Sequence, residues 1–347
     1  GFNANLFVTG LDPMLAELST TGAQVIDPDY QVAATCNWWF MIASTFVITF
    51  AGWFVSDFVV EKRLHRKPAE EGGPHPISRD ALDEQAMTAK ERKGLTAAVI
   101  GVLAFFAVVI GLVLIPGSPL HGKVDPDNPD SFDRWVRVIV PLIFFGFLTP
   151  GLAYGVATGV VKNGKDIAKL MVDSMASMAP IIVLAFFAAQ FIEYFRYSHL
   201  DQMLAMSGGQ ILAEAEMPTG LLLIAFVLVT MVFNMFVGSM SAKYTMFAPI
   251  FIPMFMMVGI SPELTQATYR IGDSVTNVVT PLNAYLIIIL VYMQKYVPKA
   301  GMGTLISMMM PYTIVFTVIW CVMILVWLWL GIDLGPEGPL HYTPGHG

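Results

Sequence analysis

Apolar runs near 20 residues long recur along this chain, and no other feature narrows its fold so far. A run of that length matches the roughly 30 Å hydrocarbon core of a bilayer when wound as a helix. Backbone polar groups in lipid must be satisfied internally, which leaves helices and closed barrels. Runs at 37–60, 95–116, 136–160, 170–195 and 303–331 read as helical spans, and 219–259 is one long apolar block with a polar waist at 238–243. Only 13% of residues are charged and the mean hydropathy is +0.65, against roughly 25% charge in soluble domains. The fold class expected is an all-α polytopic membrane protein. The net charge of -7 argues against a nucleic-acid partner, which calls for a basic patch.

Charge sits mostly in the connections. Residues 61–93 hold eight of the nineteen Lys and Arg, 161–169 carry three Lys, and 117–135 are acidic. The positive-inside rule places 61–93, 161–169 and 295–300 in the cytoplasm, with 117–135 and the Gly- and Pro-rich tail outside. A polar loop is expected between 196 and 218. The third run is expected to be interrupted at Thr149, Pro150 and Gly151. The two cysteines have no CxxC partner and the six His lie in loops, at segment ends or in the tail, so no structural metal site or disulfide framework is expected. No GxGxxG or GxxxxGKS occurs, which argues against ATP-driven transport by this chain.

The exception to the apolar pattern lies at 234–285, where Arg270, Asp273, Asn277, Thr280, Pro281 and Asn283 stand between apolar runs. An ionisable group at membrane depth is costly and marks an ion or substrate path by default. Pro281 removes a backbone donor and clashes with the preceding turn, so 262–296 is read as a helix broken near 277–281. The block at 219–259 reads as a re-entrant hairpin with its tip at the waist; two ordinary spans give the same parity. Asp273 lies one turn from Asn277, so both face one side. With Asn234 and Ser239 they offer a hard oxygen shell suited to sodium, or to a transported proton. Alternatively Arg270 and Asp273, three residues apart, neutralise each other. Arg270 suits a carboxylated or sulfonyl-bearing substrate by forked hydrogen bonding, with Lys243 and Tyr244 at the hairpin tip adding charge and an aromatic face, while Ser241 joins Ser239 and Asn277 in the cation shell. Lys243 and Tyr244 read equally well as a snorkelling lysine and an interfacial tyrosine. Asp173 and Glu193 also sit in an apolar segment; Glu193, near its end, is discounted, and so is Asp57. A Gly-Asp pair at 272–273 lacks the fuller Gly-x-Gly-Asp of intramembrane aspartyl proteases.

The start of the chain echoes this region. Asn3 and Asn5 parallel the hairpin tip, Asp27 parallels Asp273, and Asn37 parallels Asn283. Repeats with broken helices near the midplane are the hallmark of secondary transporters. Only three spans separate the two units, an odd number, so the relative orientation of the repeats stays open.

The runs Gly238-Ser239-x-Ser241-Ala242-Lys243, Ala248-Pro249-Ile250-Phe251-x-Pro253-Met254, Tyr269-Arg270-Ile271-Gly272-Asp273-Ser274 and Thr280-Pro281-Leu282 resemble the p-aminobenzoyl-glutamate transporter (AbgT) family of bacterial inner-membrane proteins. So do the opening Gly-Phe-x-Ala-Asn-Leu, Ile26-Asp27-Pro28 and Pro150-Gly151-x-Ala153-Tyr154-Gly155. The resemblance spans essentially the whole chain. It implies that the chain is the C-terminal two thirds of a member. Residues 1–60 would then be the second arm of a first hairpin, a broken helix and a span, 61–93 a cytoplasmic loop, and 94–196 three spans. Residues 219–296 would be the second hairpin and broken helix, and 303–331 the last span. It implies a homodimer with nine spans and two hairpins per subunit. It implies import of p-aminobenzoyl-glutamate, or export of sulfonamide antimetabolites, driven by a proton or sodium gradient without a cofactor. The functional positions it carries over are Asn234, Ser241, Pro262, Arg270, Asp273, Asn277 and Pro281. Members commonly have Trp where this chain has Tyr244. A dicarboxylate transporter of like architecture, and a passive conduit or membrane scaffold, are the competing readings.

Overall fold

In the computed structural model the described residues are 3–66, 87–123, 134–177, 179–281, 283, 286, 289, 290, 293, 294, 297 and 299–343. Among them every regular element is helical. In chain order these are α1 (Leu11–Ala23), α2 (Trp38–Val55), α3 (Ala89–Leu114), α4 (Ile139–Thr158), α5 (Gly164–Ser177), α6 (Ala179–Tyr197), α7 (Leu200–Glu214), α8 (Thr219–Asn234), α9 (Met240–Met256), α10 (Pro262–Thr276) and α11 (Met302–Leu330). The parts of the expected loops at 67–86 and 124–133 lie outside the described residues.

Among the described residues four helices are long and apolar enough to cross a bilayer: Trp38–Leu64, Ala89–Leu114, Ile139–Thr158 and Met302–Leu330. Their outward faces are bare hydrocarbon, with Phe50, Trp53 and Phe54 exposed on α2 and Ile100, Leu103 and Leu114 on α3. Contiguous apolar surface on this scale needs lipid or protein against it. The chain is a membrane protein.

The chain divides into two compact units. Residues 76–191 form one, in which α3 packs on α4. Small residues set the close approach: a Cβ on Gly101 would stand 3.3 Å from Pro150 Cα, and one on Gly94 would collide with Thr158. Such stripes let helices pack where lipid removes the hydrophobic drive. Helix α3 opens on a capping box, Glu91 N–H donating to Thr88 Oγ1 and Thr88 N–H to Glu91 Oε2. It stops at Ile115, which precedes Pro116 and is extended. Helix α4 stops at Gly159, whose φ of 73° is left-handed.

Two expectations change here. Helix α4 runs unbroken through Pro150, because neighbouring helical turns absorb a single missing donor. The loop expected at 196–218 is largely α7, which lays Gly208 and Gly209 against Met254 and Met257.

The other unit comprises residues 1–75 and 192–347. Its centre is α10, almost wholly buried along its length. Helices α1, α8, α9 and α11 pack around it. Helices α8 and α9 hold 16 and 17 residues, about 24–26 Å at 1.5 Å per residue, a little short of the roughly 30 Å apolar thickness. Phenylalanine rings space these two arms, Phe226 lying 4.7 Å from Phe251 and Phe233 5.1 Å from Phe247. Helix α1 instead lies tight on α9, where a Cβ on Gly22 would meet the Ala248 carbonyl at 2.6 Å.

The tail folds back on this unit. Phe40 N–H bonds the Leu334 carbonyl, Ser261 N–H bonds that of Leu340, and Ser261 Oγ donates to Pro339 O at 2.6 Å. Ser261 also caps α10 by accepting from Leu264 N–H, with Pro262 in the first turn. The tail thus fixes the start of the helix that carries the charges.

Candidate functional site

Glu263, Gln266, Arg270, Asp273 and Asn277 follow one another at three- and four-residue steps. They line one face of α10 and its C-terminal cap. A polar stripe of this kind inside a membrane protein needs a partner for every group, and each partner comes from another segment. Tyr30 OH donates to Glu263 at 3.0 Å. Gln266 accepts from Asn37 Nδ2 at 2.7 Å and donates to Ser19 Oγ at 2.9 Å. Arg270 Nη1 donates to Asp12 Oδ1 at 2.6 Å, with both side chains 1% exposed. Lys243 Nζ donates to both Asp273 Oδ1 and Asn234 Oδ1.

The two charges on α10 therefore do not neutralise each other. At three residues apart they have separate partners, Asp12 from α1 and Lys243 from α9. A buried ion left alone costs several kcal/mol, so two matched pairs are favoured over one pair and two orphans.

Of the residues expected to surround a cation, Asn234, Asp273 and Asn277 are brought together in one cluster. Asn234 Nδ2 donates to the Asp273 carbonyl at 3.0 Å and to Thr276 Oγ1 at 2.7 Å. Asn277 Nδ2 donates to Asp273 Oδ2 at 2.7 Å. The cation at its centre is the chain's own ammonium, and Lys243, 1% exposed, neither snorkels nor stands at the hairpin tip. Ser239 is not part of this shell. It is exposed at the N-cap of α9, accepting from Ala242 N–H and lying 3.3 Å from Ser241 Oγ.

The chain breaks just beyond. Helix α10 ends at Thr276, and the turn to Pro281 is tied to the end of α8 by Thr280 Oγ1 donating to the Asn234 carbonyl at 3.0 Å. Asn283 Nδ2 closes it by donating to the Asn277 carbonyl at 2.9 Å. Pro281 itself is exposed, and Pro262 is buried at the far end of the helix.

Other sequence expectations fare differently. Tyr244 is 1% exposed, its ring tilted at 42° against that of Tyr269 with centroids 4.6 Å apart and its hydroxyl 2.6 Å from Ser19 Oγ, so it is core rather than an open aromatic face. Arg270 is likewise committed to Asp12. Asp27 lies beyond the end of α1, where Tyr342 OH reaches it at 3.3 Å; the acid of this arm that meets the site is Asp12. Asn37 joins the network through Gln266, leaving its Oδ1 without a partner among the described residues. Asn3 is fully buried with neither amide atom partnered, and Asn5 is half-buried.

Residues 1–342 match the AbgT putative transporter family. The chain belongs to this family. The match follows the chain from its first residue and does not bear out the narrower expectation of a C-terminal two thirds. It is 34% identical over 340 residues to the p-aminobenzoyl-glutamate transport protein of Escherichia coli K12, covering 97% of this chain and 64% of that protein. The chain thus spans somewhat less than two thirds of that AbgT relative. Two AbgT-like structures agree. The YdaH transporter of Alcanivorax borkumensis, described as having an unusual topology, superposes with a TM-score of 0.84 at 39% identity over 97% of this chain and 68% of its own. Neisseria gonorrhoeae MtrF, described as illuminating a class of antimetabolite efflux pumps, gives 0.85 at 36% identity over 97% and 66%. The relatives are transporters, and the all-helical membrane fold expected from sequence is shared with these structures.

Proposed function

We propose that this chain acts in a cation-coupled secondary transporter of the bacterial inner membrane, with p-aminobenzoyl-glutamate or a related aromatic antimetabolite such as a sulfonamide as cargo. The observation that carries this reading is the buried Asp273 cluster at the break after α10. A carboxylate, two asparagines and an interrupted helix form a monovalent-cation site beside a hairpin tip. The transported cation is sodium or a proton, and the working assembly is a homodimer. Ser241, Pro281 and Asn283, less buried than the Asp273 pair, supply contacts to the substrate nearer the tip.

Uptake of labelled p-aminobenzoyl-glutamate into proteoliposomes tests the reading. Imposed sodium or proton gradients are expected to drive accumulation, and Asp273→Asn is expected to abolish it while the protein still inserts. Saturable uptake indifferent to both gradients makes the protein a passive conduit. Competition by succinate as strong as by the aromatic amide makes it a dicarboxylate carrier. Near-normal driven uptake by Asp273→Asn removes the site assignment.

A further inference from the structure

Lys243 fills the place that a transported cation would take. Its ammonium donates to Asn234 Oδ1 and Asp273 Oδ1, while Asn277 holds the other carboxylate oxygen. The cluster has one carboxylate, so a single positive charge leaves it neutral. A second cation entering beside the ammonium would leave a buried charge uncompensated, which costs several kcal/mol. Cation and ammonium are therefore mutually exclusive occupants.

The ammonium has a route out that leaves the helices in place. Lys243 stands in the first turn of α9, four residues after Ser239, and that serine is exposed. Its flexible four-carbon stem lets the charge swing toward the tip while the backbone stays packed. An expelled ammonium at the tip needs an anion. Asp12 is already matched by Arg270, and the first-turn N–H groups of α9 add positive potential at the same end.

We propose that Lys243 is the coupling element of this transporter. A monovalent cation entering the Asp273–Asn234–Asn277 cluster displaces its ammonium, and the displaced ammonium then binds a carboxylate of the transported anion at the hairpin tip. This rests on the cation-coupled reading above. It makes the two ligands interdependent through one side chain: the cation creates the anion site, and the bound anion keeps the ammonium from returning. Linkage of this kind is reciprocal and commonly worth about 5–150-fold in affinity.

The test uses the full chain purified in detergent or nanodiscs, with sodium chloride and p-aminobenzoyl-glutamate as probes. In the wild type, saturating sodium is expected to raise affinity for the anion by about tenfold or more. In Lys243→Gln that ratio is expected to fall to near one, and sodium alone is expected to bind more tightly because its competitor is gone. Thermal melting gives a readout independent of the anion. Lys243→Gln leaves Asp273 without its ammonium, so added sodium is expected to raise its Tm more than that of the wild type, as binding to the folded state alone requires. The double variant Lys243→Gln/Asp273→Asn has no carboxylate to bind sodium, and its Tm is expected not to respond. The double variant also serves if the single one folds poorly. Sodium–anion linkage in Lys243→Gln as large as in the wild type overturns the inference alone. A wild type whose uptake ignores both gradients, and whose Tm and anion affinity ignore sodium, overturns the cation-coupled reading and the inference with it.

Discussion

Asp12→Asn is the most informative single substitution in this protein, because it separates a core ion pair from a substrate-facing arginine. One Asp12 oxygen accepts from Arg270 Nη1 at 2.6 Å, and the other accepts from Thr9 N–H at 2.6 Å and Thr9 Oγ1 at 2.8 Å. All three partners donate, and a carboxylate only accepts. Asparagine has one accepting oxygen and one donating NH2. Whichever way the amide turns, a donor faces a donor, and the Arg270 charge is left uncompensated. Arg270 and Asp12 side chains are both 1% exposed, so water cannot repair the loss. Breaking a buried pair from one side costs about 3–5 kcal/mol, whereas an interhelical hydrogen bond in a membrane protein averages about 0.6 kcal/mol. The two magnitudes are far enough apart to decide. Reversible unfolding in mixed micelles, followed by tryptophan fluorescence, measures the difference. The double variant Asp12→Asn/Arg270→Met removes the stranded charge and leaves the asparagine oxygen to accept from Thr9; it is expected to recover most of the stability, and with Arg270→Met alone it closes a cycle with a large coupling energy. A loss near 0.6 kcal/mol for Asp12→Asn, or a double variant no more stable than the single one, refutes the pairing as the reason Arg270 is buried.

Three further outcomes follow from the packing. Gly272→Ala places a Cβ 2.7 Å from Thr230 Cβ and from the Val227 carbonyl; forcing α8 off α10 is expected to cost about 1–3 kcal/mol and to lower Tm and driven uptake together, so an unchanged Tm refutes the close approach. Tyr244→Phe removes the 2.6 Å contact with Ser19 and is expected to cost about 1 kcal/mol without altering which substrates compete for uptake. A changed substrate range at unchanged stability places Tyr244 at the substrate instead. Asp27→Ala loses a 3.3 Å contact from the Tyr342 hydroxyl and an exposed 3.4 Å one from Asp29 N–H, and is expected to stay within about 0.5 kcal/mol of the wild type with normal uptake; loss of driven uptake would restore Asp27 as a site residue.

The parts of this fold that sequence makes legible are those set by local chemistry. Apolar length marks α2, α3, α4 and α11, and charge and proline inside an apolar frame mark the end of α10. The pairing of the charges is not local. Asp12 and Arg270 are 258 residues apart and Lys243 and Asp273 are 30 apart, and no periodicity reports such distances. Asp12 is further disguised, since Thr9-x-x-Asp12 has the form of a helix-start signal. It does serve that end through Thr9 while its second oxygen reaches across the unit. Asp27 parallels Asp273 in the sequence repeat, yet it falls past the last turn of α1 and meets only Asp29 N–H and the Tyr342 hydroxyl of the tail. Lys243 carried a snorkelling reading because long cationic side chains near helix ends usually find water. A carboxylate one helix away reversed that balance.

The spacing along α10 explains why the nearer charges are not the paired ones. Arg270 and Asp273 project from the same face one turn apart, and a bond between them would satisfy both within the helix. It would also strand Asp12 in α1 and Lys243 in α9, each about 1% exposed. Two stranded ions cost more than the intrahelical pair returns. The resting arrangement is therefore fixed by the partners rather than by the helix, and each charge on α10 is coupled to a different element. Anything that relieves Lys243 of Asp273 leaves the Arg270–Asp12 pair intact, because the two pairs share no atom. On the exchange proposed above, one end of α10 swaps its cation, while the other is held by the Ser261 cap and the returning tail. A site that swaps one positive charge for another on a helix anchored elsewhere changes its partners without losing its place.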